Sequence, residues 1–174
     1  MEKSEEKIVE KIISLFHELA EDRGIIKSFH HGWKFDFEIS GKKYMCQTER
    51  EVFYRLPNEK TLTHKSDIMI TNSESFVEPY VLNPAHRFVS IEVKHKSSVT
   101  DQFKSRSYDM LHMRTTYPNC LGIMMYIRIG NITPEQAKKI CYPFHHFFSC
   151  SPNELSIEKV SPLFREIISF LKEN

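Results

Sequence analysis

The chain has 174 residues, of which 40% are hydrophobic, enough to fill the core of one domain. Its formal charge of +1 argues against a protein that coats nucleic acid by bulk electrostatics. No run approaches the roughly 18 apolar residues of a membrane span, and the charged start MEKSEEK lacks a signal-peptide core. A cytoplasmic protein is therefore expected, with Cys46, Cys120, Cys141 and Cys150 as buried free thiols.

Residues 4 to 23 are predicted as an amphipathic helix. Ile8, Ile12, Leu15, Phe16 and Leu19 recur at helical spacing, and Gly24 is placed to end it. At about 100° per residue, Glu5 falls on the apolar stripe one turn before Ile8 and Val9. Glu10 and Glu18 face away from it.

Phe35, Phe37 and Ile39 alternate with Lys34, Asp36 and Glu38, which predicts a strand ending at Ser40-Gly41. His30, His31 and Trp33 precede it, either as an ordinary surface loop or as a contact to phosphate and base. A strand meander follows, with runs at Tyr44–Cys46 and Val52–Leu56 and a turn at residues 57–60.

The stretch from Lys65 to Arg106 carries the chemistry. Asp67 leads into the apolar run Ile68, Met69 and Ile70. A second run, Phe88 to Val93, ends in Glu92-Val93-Lys94. On a strand, Glu92 and Lys94 project to one face while Ile91 and Val93 point into a core. If the two strands pair, two carboxylates and an ammonium converge. Such oxygen donors suit a hard divalent cation, magnesium or manganese. Phe76 to Leu82 lies between them as a short strand or an irregular excursion.

Asp67 with the Glu92-x-Lys94 pair resembles the PD-(D/E)XK nuclease superfamily. Ser66 stands where that motif has its proline. The resemblance, extending over about residues 1–130 in order of elements, implies a restriction-endonuclease-like α/β fold: three α/β/α layers about a central mixed sheet. It implies Mg2+- (or Mn2+-) dependent endonuclease activity, most plausibly on DNA. Asp67 and Glu92 would be metal ligands, joined by the main chain of Val93, and Lys94 would orient or activate the attacking water. Glu5 would be an additional acidic group from the first helix; the alternative is a frayed turn in which it complements the helix dipole.

After Lys96, residues 97–100 supply cap candidates for a helix running to about Met113. The resemblance implies a role for Gln102 near its start, although Arg106 holds the position where related enzymes carry tyrosine. Lys96, Lys104 and Arg106 are the candidate nucleic-acid contacts; the bland reading of Lys104 and Arg106 is a solvated helix face.

Cys120 to Ile129 is predicted as a strand buried on both sides, parallel to the Glu92 strand across the intervening helix. Thr133-Pro134-Glu135 reads as one helix start and Ser161-Pro162 as another. The Cys141, His145, His146 and Cys150 set permits zinc by composition, but Pro143 and the interleaved aromatics favour core packing. One domain is expected throughout, with a homodimer if it cuts both strands of a duplex.

Overall fold

The computed structural model describes residues 3–29, 33–56, 58, 60–96, 100–129 and 131–173. Helix α1 spans Lys3–Asp22 and is followed by strands β1 (Ile26–Phe29), β2 (Lys34–Ile39), β3 (Lys42–Arg55) and β4 (Thr61–Asn72). A small hairpin, β5 (Phe76–Glu78) and β6 (Val81–Leu82), precedes β7 (Phe88–His95) and α2 (Thr100–Thr116). The chain closes with β8 (Cys120–Ile127), α3 (Pro134–Ile140), β9 (His146–Cys150) and α4 (Ile157–Lys172).

Seven strands form one mixed sheet in the order β1-β2-β3-β4-β7-β8-β9. The first four and β7 pair antiparallel, whereas β7, β8 and β9 run parallel. Each parallel step has a helix in its crossover, as parallel strands require. Strand β8 is buried at every position, matching its unbroken apolar run.

Helices cover both faces. Ile12, Ile13 and Phe16 of α1 and Phe164, Ile167 and Ile168 of α4 pack on one, against Ile68, Ile91, Ile123 and Met125. Phe103, Met110 and Met113 of α2 and Ala137 of α3 pack on the other, against Met69, Met124 and Tyr126.

One feature of the sheet places the candidate site. Tyr44 and Cys46 of β3 lie in the α1/α4 core, while Val52 and Tyr54 of the same strand lie in the α2/α3 core. All four are an even number apart, so simple alternation would keep them on one face. The inversion falls at Glu49, held at a left-handed φ of 52°. On β4 the facing position is Asp67, between the pairs Thr48–Ile68 and Arg50–Ser66. Pairing of β4 with β7 covers only Ile68 to Ile70. Beyond Asp67, the β3–β4 ribbon turns its other side to the sheet.

Several boundaries differ from expectation. The two runs of the meander belong to one strand, β3, because the bend at Glu49 changes its face without breaking its ladder. Helix α4 begins at Ile157, five residues before Pro162. The Ser156 side chain accepts the Lys159 N–H and caps it, so the proline sits inside the helix. Phe76 to Leu82 forms the β5–β6 hairpin.

Candidate metal centre

Strand β7 presents Glu92 to the α2 side, because its neighbours Ile91 and Val93 are committed to the opposite core. Asp67 approaches from β4 at the inversion. Its Oδ2 accepts the Val93 N–H at 2.8 Å, taking the place of a ladder bond that β4 no longer supplies. The expectation that two carboxylates converge is met. Val93 thus offers its main chain at this point, its side chain being fully buried.

Glu5 is drawn into the same group. It is buried from the first turn of α1, and Lys94 Nζ lies 3.9 Å from its Oε2. Burial, then repulsion from Glu92 and Glu5, pushes the Asp67 carboxyl up to about 7, against the Val93 hydrogen bond and the Arg106 charge.

Arg106 reaches in from α2. Its Nη1 lies 3.1 Å from Glu92 Oε2, an ion pair by distance. Yet Oε2 is buried and accepts no aligned hydrogen bond among the described residues. Burial disfavours the guanidinium charge, but Glu92, Asp67 and Glu5 outweigh it and hold Arg106 above its usual range. Arg106 therefore belongs to the acid cluster, not to a solvated helix face.

The other oxygen of Glu92 is held by a residue that strand periodicity does not reveal. His64 Nε2 donates to Glu92 Oε1 at 2.6 Å, and both groups are buried. His64 Nδ1 is 3.8 Å from Asp109 Oδ2, and Tyr54 donates to Asp109 Oδ1 at 3.3 Å. Burial pulls the imidazole down, but the Glu92 hydrogen bond and the charges of Glu92 and Asp109 prevail and raise it. His64 is three residues before Asp67, an odd spacing that points it away in a regular strand. Only the inversion brings it to Glu92. Ser66, on the same outer stretch, shares a 2.6 Å hydrogen bond with Ser90.

The remaining candidates lie further out. Gln102 and Lys104 are exposed on α2, and Lys104 pairs with Asp101 at 3.8 Å. Lys96 is exposed at a φ of 56°, where the chain leaves β7. His30 and His31, and residues 97–99 of the expected cap, lie outside the described residues. Trp33 is half-exposed beside Glu6, Glu49 and Val9.

The donor chemistry fits a hard cation. Asp67 and Glu92 supply carboxylates, and Glu92 Oε2 is a buried acceptor to which the Arg106 guanidinium, 3.1 Å away, donates no aligned hydrogen bond. Among the described residues no group of three or more His, Cys, Asp or Glu side chains is placed to hold a metal ion. Magnesium commonly takes one or two protein carboxylates and retains waters, so two are compatible with it. The zinc alternative fails on geometry: Cys141 belongs to the α2/α3 core and Cys150 to the α1/α4 core, on opposite faces of the sheet. His145 Nδ1 accepts the Gly122 N–H at 2.9 Å.

No known family model matches the chain, and no curated protein is significantly similar to it. Among the described residues no helix is long and apolar enough to cross a membrane.

Proposed function

We propose that the protein is a metal-dependent nuclease, a single domain of restriction-endonuclease-like type hydrolysing phosphodiester bonds, with DNA as its substrate. The observation that carries this reading is the convergence of Asp67, Glu92, Lys94 and Glu5 where β4 parts from β7. Asp67 is a buried acid with two further carboxylates, Glu92 and Glu5, raising it, and such perturbed acids gather at catalytic and metal sites.

Asp67 and Glu92 would hold magnesium or manganese, with the Val93 carbonyl and Glu5 as further oxygen donors. The cation would supply Lewis-acid stabilisation of charge on the phosphate. Lys94 would hold the attacking water by donating to it, its ammonium positioned by Glu5. Arg106 would turn from Glu92 toward a phosphate oxygen, a forked donor suited to that anion. A duplex cutter with one such site per chain would act as a homodimer, and a cytoplasmic location is part of this proposal.

A cleavage assay on circular duplex DNA, single-stranded DNA and RNA tests this, with magnesium, manganese or chelator. Metal-dependent cutting lost in Asp67→Ala and Lys94→Ala is the expected result. No cutting of any polymer by the native chain would leave a binding module on the same fold, a reading favoured by His64 and Arg106 engaging both oxygens of Glu92.

A further inference from the structure

The outer side of α2 carries a second feature, on the far side of the helix from Glu92. Exposed large hydrophobic side chains number seven among the described residues, and three of them, Tyr108, Leu111 and Tyr142, line one groove between α2 and α3. Its volume is about 350 Å³. Lys104 and Lys139 also line it, and no acidic residue does. Tyr142 is 73% exposed and Tyr108 56%, and with Leu111 they make an apolar surface open to solvent.

Aromatic rings connect this groove with the acid cluster. Tyr108 meets His112 edge-on at 4.3 Å, and His112 stacks on Tyr54 at 6.5 Å with 13° between planes. Tyr54 donates to Asp109, which faces His64 and through it Glu92. The rings step around the open side of α2, from the Tyr54–Asp109 bond outward to the lysines. A duplex hides its base faces in its own stack, so it cannot use such a series. An unpaired strand can, laying bases on the rings and phosphates beside the ammonium groups.

We infer that the Tyr108–Leu111–Tyr142 groove, flanked by Lys104 and Lys139, binds single-stranded nucleic acid. This deepens the nuclease reading and rests on it: the strand held here is the flank of the substrate that enters the acid cluster. The groove thereby selects unpaired substrate ends over continuous duplex.

The test is fluorescence anisotropy of the full chain in chelator, without cleavage, using labelled single-stranded DNA, single-stranded RNA and duplex DNA of one sequence. Tyr142→Ala and Tyr108→Ala should each weaken single-strand binding about 5- to 150-fold, the range for one lost base stack. Lys139→Ala should weaken it less and flatten its salt dependence. Tyr80→Ala, an exposed tyrosine outside the groove, should bind as the native chain does. The two single-strand arms tell DNA from RNA.

Unchanged affinity in both tyrosine variants overturns the inference. So does a native chain that binds neither single strand, which would hand the groove to a protein partner, or one that binds duplex as tightly. Tyrosine-dependent binding without metal-dependent cutting would retain the groove and sink the nuclease. Cutting with tyrosine-independent binding would do the reverse.

Discussion

Asp67 and Val93 are joined by a hydrogen bond in which a side chain stands in for a strand: the carboxylate takes the N–H at 2.8 Å just where β4 leaves β7. The same carboxyl that completes the backbone accounting of β7 is thereby aimed at Glu92. Its burial also makes its charge costly.

Asp67→Asn separates these roles, since the amide oxygen still accepts from Val93. Activity should fall by about 10²–10³-fold or more, the scale of losing one preorganised electrostatic contribution to the transition state, because a neutral amide holds a hard cation less well. Stability should move the other way. With its pKa raised to about 7 from an ordinary 3.8, Asp67 stays protonated in the fold while the unfolded chain has ionised. The folded state therefore loses stability as pH rises from about 4 to about 7, and the penalty persists above that. In chelator, Asp67→Asn should match the native chain near pH 4 and exceed it at pH 8. The gap should be on the order of 2–4 kcal/mol. Urea unfolding at both pH values reads it; a native chain equally stable relative to the variant at both would refute it.

His64 should show the opposite pH dependence. Its folded pKa lies above 6.5 because Glu92 and Asp109 outweigh burial, so its stabilisation is complete below the unfolded pKa and fades as pH rises through the folded one. His64→Ala should cost more at pH 6 than at pH 9. The loss at pH 6 should be about 3–5 kcal/mol, as for a buried pair stripped of one partner. Denaturation of both proteins across that range checks the sign.

A divalent cation held at Glu92 would have to compete with Arg106 for its Oε2. Replacing a guanidinium 3.1 Å from that oxygen by the neutral amide of Arg106→Gln should tighten manganese binding about 10-fold. Cleavage should nevertheless decline, because a phosphate contact is lost. Manganese titration by electron paramagnetic resonance measures the first effect without reference to turnover. Weaker binding in the variant would show that Arg106 supports the cation site instead of competing for it.

Gly122 on β8 faces Met110 of α2, and a Cβ there would run into the Met110 sulfur, with its Cε at 3.0 Å and Cγ at 3.1 Å. Met110 is fully buried and has little room to move. Gly122→Ala should cost about 1–3 kcal/mol through overpacking. It should also reduce activity by shifting the helix that carries Arg106. Thermal melting and a cleavage assay on the same preparation test both.

The layered framework was legible because its signals are local. The alternation of Phe35, Phe37 and Ile39, the helical spacing from Ile8 to Leu19, and the unbroken run from Cys120 each appear as the expected element. The meeting of Asp67 with Glu92 was legible as well, as was Glu5 on the buried side of α1. His64 and Asp109 were not. Their roles depend on a left-handed residue at Glu49, and glutamate carries no sequence signal for that conformation. Arg106 was read as a contact or as solvent-facing, because helical position alone does not say which strand end lies beneath it. The Pro162 start of α4 was misplaced by treating proline as a first-turn marker when the Ser156 cap set the boundary.

The inversion at Glu49 and Asp67 divides one hairpin between two masters. Its inner half is built into the α1/α4 core. Its outer half is tied to the end of α2, where Tyr117 donates to Phe53 O at 2.6 Å and the Arg55 N–H donates to Thr116 Oγ1 at 3.0 Å. The hairpin therefore ties the two helical layers together through one ribbon, with the acid cluster at the point where it changes face.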